Sequence, residues 1–245
     1  MIDILKQYGL SLLIGPYPQG PLGGIALTLI MSCIALLVAF PVAVAIALAR
    51  ISHIVIIRRA AAVYVYSVRG IPVLLMIFWA YFVLPLVTGI NTSPAMTVIC
   101  ALVVYEGAYL GEAIRAAIVA ISVGQNEAAR SLGLGYWKTM RKVILPQALF
   151  NGLPSIVSQF ILIVKNTSLA YIVGAHEATF AANGINAQLL TRPFEVYAIL
   201  AAVYFAICYT VSHAGRIIER RIVLRRLGRV LPQREPASST ARASS

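Results

Sequence analysis

The chain has 245 residues, of which 60% are hydrophobic and only 11% charged. Soluble domains run nearer to about 45–50% apolar and about 25% charged, so this composition belongs in a lipid bilayer. Lys and Arg number 20 against 8 Asp and Glu, but these bases cluster between apolar runs. Membrane orientation accounts for that placement, and nucleic-acid binding does not.

Residues 1–22 form a mostly uncharged leader with Gly15, Pro16, Pro18, Gly20 and Pro21 near its end. Such punctuation predicts an irregular or interfacial segment. The start lacks a basic stretch and a small-residue cleavage site, so the first apolar run is expected to stay as a span rather than leave with a signal peptide. That run covers residues 24–49, enough for a bilayer that needs about 20 apolar residues, and Pro41 inside it predicts a kink. Arg50, His53, Arg58 and Arg59 follow as a first basic loop. A second span is predicted over residues 60–87, interrupted early by Arg69, Gly70, Ile71 and Pro72, which read as a helix break near the cytoplasmic surface. Residues 86–94 carry no charge and mark the opposite side. The third span covers residues 95–114 and contains Glu106, with Glu112 and Arg115 near its inner end as a local pair three residues apart. Gly107 and Gly111 give it a small-xxx-small face for close packing of another helix.

Residues 126–146 read NEAARSLGLGYWKTMRKVILP. Asn126 is expected to cap a short helix with Glu127 in its first turn, where an acid suits the positive end of the dipole. Ala128 and Ala129 keep the turn slim, Gly133 and Gly135 let the chain bend, and Tyr136, Met140, Val143 and Ile144 follow at helical spacing. The stretch reads either as two short helices at a bend, a knob projecting from the membrane, or as an amphipathic loop resting on lipid headgroups. A fourth span is predicted over residues 149–172, with Pro154 early and Gln159, Lys165, Asn166, Thr167 and Ser168 inside. Residues 174–192 read as a mixed loop, and a fifth span covers 194–211. Arg216, Arg220, Arg221, Arg225, Arg226 and Arg229 make a basic, helix-like exit before a tail too poor in apolar residues to fold.

Basic loops alternate. Three Arg lie between spans one and two, about five bases between three and four, and at least six after span five, while the loop after span two has none and the loop after span four has only Arg192. The positive-inside rule then predicts a cytoplasmic C-terminus, an outside N-terminus and a cytoplasmic 126–146 stretch. Cys33, Cys100 and Cys208 lie in separate apolar runs and read as small hydrophobes, and His53, His176 and His213 are scattered singly; neither set has metal-ligand spacing. No Gly-rich phosphate loop is present and no serine has a nucleophile-elbow context, so the chain is expected to be no enzyme and to hold no cofactor. Lys165 lies in an apolar run, where its charge costs at least ~2.5–3.5 kcal/mol. It is open to three readings: an ion pair with Glu106, a substrate or gating role, or snorkelling to the interface. Gln159, Asn166, Thr167 and Ser168 read either as substrate-pathway contacts or as polar ties between helices.

The spacing of Glu127, Ala128, Ala129, Gly133, Val143, Leu145 and Pro146 resembles the cytoplasmic coupling loop of ABC-importer permeases. That pattern runs EAA, three residues, Gly, nine residues, Ile, any residue, Leu-Pro; only Val143 departs from it, standing where Ile is usual. Arg69-Gly70-Ile71-Pro72 and the segment around Lys165 resemble the polar amino acid uptake branch, with Asn166 where Asp is common. The resemblance covers roughly residues 22–225. It implies an all-α integral membrane protein of five transmembrane helices with the type I importer permease fold, lying multi-pass in a bacterial inner membrane. Its organisation would be a leader (1–22), a transmembrane domain (23–222) with a coupling loop (125–146), and a basic, then disordered tail (223–245). The implied partners are a second permease subunit (identical or similar), ABC ATPase subunits that use the ATP, and an extracytoplasmic amino acid binding protein. The loss of an acid at 166 tilts the implied substrate toward acidic or neutral amino acids. The rival reading is an ion-gradient-driven secondary transporter with Glu106 and Lys165 as its charge relay.

Overall fold

The computed structural model describes residues 1–230, and every regular element in that range is helical. The expected disorder beyond residue 230 lies outside the described residues. In chain order the helices are α1 (Ile2–Ile14), α2 (Gly24–Arg50), α3 (Val55–Arg69), α4 (Val73–Thr88), α5 (Pro94–Val119), α6 (Val123–Ser131) and α7 (Tyr136–Thr139). After a wide π turn (Met140–Ile144) come α8 (Leu145–Asn151) and α9 (Leu153–Asn166), then a 3-10 turn (Thr167–Val173), α10 (Ala178–Leu189) and α11 (Pro193–Val230). Among the described residues, four segments are long and apolar enough to cross a bilayer: α2, α5, α9 with its 3-10 turn, and α11 over Pro193–Ile222. Helices α3 and α4 make a fifth if taken together, but they meet at 101°.

That bend has a local cause. Pro72 has no N–H to continue α3 and disfavours helical backbone at Ile71 before it, so α3 closes on Gly70 and α4 restarts from Pro72. The predicted break is therefore real, and it divides the second span into two helices rather than kinking one. Helix α2 instead runs unbroken through Pro41.

The bundle is built on α2 against α5, its most extensively packed pair. Ala35, Ala39, Ala43 and Ala47 recur every fourth residue, so they share one face of α2, and all are fully buried. Gly107 and Gly111 of α5 lie against Val42 and Ile46 of the same helix, and a Cβ at Gly111 would stand 3.0 Å from Ile46 and 3.2 Å from the Ala43 carbonyl. With lipid as apolar as any side chain, this close van der Waals approach is what joins helices in a membrane. Met31, Ile77, Leu102 and Ile163 extend the core to α4 and α9. Outward, Leu37, Leu86, Phe194 and Phe205 are exposed, as are Cys33 and Cys100.

Four sequence expectations change. The leader is not irregular throughout, since α1 docks Ile4 and Leu12 on Ala182, Ile185 and Ile199. The mixed loop after span four holds α10, an uncharged helix. The fourth span starts at Leu153, after a break at Gly152, and finishes as a 3-10 turn. The fifth helix continues far past residue 211, through the expected basic exit to Val230.

The seam yields a stability test. Gly111→Leu should destabilise the purified protein by about 1–3 kcal/mol through overpacking, read as a lower unfolding midpoint in detergent. Gly184→Ala, where a Cβ meets nothing within 4 Å, should leave the midpoint unchanged or slightly raised.

Candidate functional site

Two regions carry the predicted residues, one beyond the C-terminal end of α5 and one at its middle. In the first, α6 begins at Val123, so Ser122 and not Asn126 stands at the N-cap position, and Glu127 lies past the first turn. The expected capping by Asn126 is thus corrected: it sits inside the helix. The other end of α6 follows the expected bend. Gly133 has φ +78°, its N–H donates to the Arg130 carbonyl at 2.9 Å, and the Leu134 N–H donates to the Ala129 carbonyl at 3.2 Å. These two bonds are the Schellman closure of a helix, which needs a left-handed residue that only Gly adopts without a penalty.

Beyond this turn, α7, the π turn and α8 follow one another without a gap. The widening falls just before Pro146, which cannot donate to Lys142 and whose ring crowds that carbonyl. Ala129, Met140 and Ile144 are buried; Met140 and Ile144 pack with Leu110 and Ile114 of α5 and with Ala43 and Ala47 of α2. Val143 and Leu145 are half-buried beside them, whereas Glu127, Ala128, Gly133 and Pro146 are exposed. Leu132 and Trp137 are also exposed, at 82% and 70%. Tyr136 touches His53 of the α2–α3 loop edge-on, with ring centroids 5.2 Å apart. The result is a rigid knob whose inner face is locked to the bundle and whose outer face is free. Just above it, Glu112 binds Arg115 at 2.6 Å as expected, and Arg50 of α2 adds a second cation at 3.4 Å.

The second region centres on Glu106, fully buried on α5. Asn166 Nδ2 donates to one carboxylate oxygen at 3.0 Å, and Gln159 Nε2 donates to the other. Three of the six membrane-depth candidates therefore converge. Lys165 does not join them: it is exposed and makes no ion pair among the described residues. Of its three readings the ion pair with Glu106 is the one not formed, because consecutive helical residues point about 100° apart and Asn166 is the one facing α5. Thr167 Oγ1 bonds the Val164 carbonyl and Ser168 Oγ the Lys165 carbonyl, both at 2.7 Å. These hydroxyls close the end of α9 rather than meet Glu106. Among the described residues no group of three His, Cys, Asp or Glu could hold a metal.

Sequence reasoning passed over Glu177, which is fully buried at the N-terminus of α10 and accepts hydrogen bonds from the Thr179 and Phe180 N–H groups at 2.9 and 3.0 Å. The available signal was an acid directly preceding a helix with no charged residue of its own.

The family described as the inner membrane component of binding-protein-dependent transport systems matches residues 39–224. The chain belongs to that family. It is 36% identical over 214 residues to the probable glutamine ABC transporter permease protein of Bacillus subtilis, covering 85% of this chain and 98% of that one. The L-cystine transport system permease protein of the same organism is 33% identical over 200 residues, 82% and 85% of the two chains. A solved amino acid ABC transporter, crystallised with histidines, superposes with a TM-score of 0.73 at 35% identity over 81% of this chain and 92% of the other. The permease fold expected from the sequence is thus the observed one, and the chain is a multi-pass inner membrane protein.

The polar core of this permease separates two residues that the sequence had joined. Gln159→Leu should cost about 1–3 kcal/mol, because it leaves a buried carboxyl oxygen without its donor, whereas Lys165→Met should change stability by less than about 0.5 kcal/mol. Denaturant unfolding in micelles measures both; equal losses would restore a structural ion pair for Lys165.

Proposed function

We propose that this permease is the membrane-spanning subunit of an ATP-driven importer, which translocates a polar amino acid, acidic or neutral, handed over by an extracytoplasmic binding protein. The observation that carries this is the exposed knob of α6, its Gly133 closure and α7, fixed by Met140 and Ile144 to the inner ends of α2 and α5. Such a body transmits force: its outer face, with Glu127, Ala128 and Gly133, offers a small and polar contact to an ATPase groove, and its inner face cannot move without the bundle. Glu127 pairs with a basic or polar rim there, and Ala128 and Gly133 permit close approach. ATP is bound and split on that partner. A second permease subunit completes the pathway, because one five-helix chain encloses no gated channel alone. Charge asymmetry sets the knob and C-terminus in the cytoplasm and the N-terminus outside.

The substrate reading rests on the Glu106 constellation. Both carboxylate oxygens already accept amide donors, so this acid is not a free anion for a cationic side chain. Gln159 and Asn166 stand at the pathway beside Glu106, the Thr167 and Ser168 hydroxyls shape the end of α9 there, and Lys165 supplies an accessible positive charge for a carboxylate. The names of the relatives, glutamine and cystine, agree with a neutral or acidic amino acid. The ion-gradient alternative needs a Glu106–Lys165 relay that the side chains do not form.

Reconstitution in liposomes with the ATPase and binding protein should give uptake only when ATP is supplied. Robust gradient-driven uptake by the permease alone would overturn the importer reading. Glu127→Lys should lower ATP-coupled uptake by at least about tenfold, one decade being ~1.4 kcal/mol of lost coupling, while membrane insertion stays normal. For the substrate, competition assays should show glutamine and glutamate competing and lysine failing. Asn166→Asp should shift that competition toward cationic amino acids, and an unchanged profile would remove residue 166 from the selectivity argument.

A further inference from the structure

Glu177 lies where α2, α10 and α11 meet, shortly after the Thr167–Val173 turn. Its carboxylate accepts the Tyr204 hydroxyl of α11 at 3.0 Å, the Thr28 hydroxyl of α2 at 3.4 Å and the two N–H groups that open α10. The backbone beside it repeats the attachment: the Gly24 N–H donates to the His176 carbonyl at 2.8 Å, and the Ala178 N–H donates to Thr28 Oγ1 at 3.1 Å. Upstream, Gly174 turns the chain with φ +82°, and the Thr167–Val173 turn runs directly back to Asn166 on Glu106. Whatever fixes residue 177 therefore fixes the outer end of the only chain segment that joins α9 to α10.

We propose that Glu177 is a positioning residue for translocation: its carboxylate latches α10 to α2 and α11 and thereby holds the Asn166–Thr167 turn in register against Glu106. A plain helix cap would need only the two N–H groups of α10; the Tyr204 and Thr28 bonds serve to hold other helices. Among the described residues no cation pairs with this carboxyl group. From α11 the facing titratable group is Tyr204, α2 presents only Thr28, and α10 has no charged side chain. Nearby, the His176 ring stacks on Phe180 with centroids 4.4 Å apart, the 3-10 turn brings only Tyr171, and the titratable group in the last turn of α9 is the exposed Lys165. Asp3, Lys6 and Tyr8 of α1 make no hydrogen bond to the carboxylate among the described residues.

Burial accordingly pushes the Glu177 carboxyl up to about 7, against the opposing hydrogen bonds from Thr179, Tyr204 and Phe180. The sign follows from linkage. An acid whose folded-state pKa is raised contributes stability that is complete below its unfolded value near 4.5 and is lost as pH rises through about 7. Ionisation strengthens the donated hydrogen bonds but costs more in desolvation, so the closed arrangement around residue 177 is most favoured with the carboxyl protonated and opens more readily as pH rises through about 7.

This inference rests on the importer reading, but its first test does not need transport. In the permease assembled in lipid nanodiscs, amide hydrogen exchange over residues 167–180 is followed from pH 5 to 8 and corrected for intrinsic rates. Protection in the wild type should fall by up to about tenfold per pH unit between pH 5 and 7 and then level off, while E177Q, which cannot ionise, should show no such slope. In ATP-driven uptake the wild-type KM should change about threefold or more between pH 5 and 7 relative to that of E177Q, with insertion and assembly equal in both. Superimposable exchange profiles in the two proteins overturn the latch. ATP-driven uptake with matching pH profiles removes its role in translocation, and a pH-dependent latch without ATP-driven uptake sinks the importer reading alone. Y204F gives a second route, since it should weaken protection of the same segment without abolishing the pH slope.

Discussion

The close seam between α2 and α5 governs the rest of the molecule. In a membrane, apolar burial against lipid gains little, so helices stay together through dense van der Waals contact and shared hydrogen bonds. Four alanines on one face of α2 and two glycines on α5 supply that density over the length of both helices. Because α5 is held so firmly, it can carry a buried acid at its middle and serve as the wall against which the π turn closes at its inner end. A larger residue at Gly111 would disturb both, though it touches neither.

Charged groups buried here are satisfied in two different ways. Near the C-terminal end of α5, Glu112 meets Arg115 and Arg50, so opposite charges cancel close to water. At Glu106 and Glu177 no cation pairs with the acid among the described residues, and neutral donors take its place: side-chain amides in the first case, backbone N–H groups and hydroxyls in the second. A neutral shell stabilises a carboxylate less than a salt bridge does but leaves its charge uncancelled. Such an acid remains responsive to a proton or to a polar substrate, which is why these two positions and not Glu112 attract functional interpretation.

The parts of the fold governed by local chemistry could be read from the residues. Apolar run lengths located the spans over α2, α5 and α9 to within about five residues, Pro72 placed the break between α3 and α4, and Gly133 placed the bend in the knob, each through a constraint acting on neighbouring atoms. What escaped depended on partners distant in the chain. Helix α10 has no charges and no strong periodicity, and it is defined by Glu177 reaching Thr28 and Tyr204, about 150 and 27 positions away. Lys165 was set against Glu106 because both were charges in apolar runs, whereas one step of helical rotation gave the contact to Asn166. Residue type alone points to Asn126 as a cap, and the actual cap position of α6, Ser122, lies four residues earlier.

In the proposed importer, these elements form one mechanical line. The knob outside the membrane is rooted by Met140 and Ile144 in the α2–α5 seam, α5 carries Glu106 toward its centre, Glu106 holds Asn166, and the turn after Asn166 leads to Glu177. Each step is a direct contact or a continuous helix, so the energetic coupling needs no long-range field. Interfaces of this density do not deform gradually; they hold one arrangement or shift to another. A rigid shift of α5 imposed from the knob would change the Gln159 and Asn166 contacts together, since both bind the same carboxylate. Release of substrate and movement of the coupling loop would then be two ends of one displacement, with the Glu106 amides as the point at which it is felt.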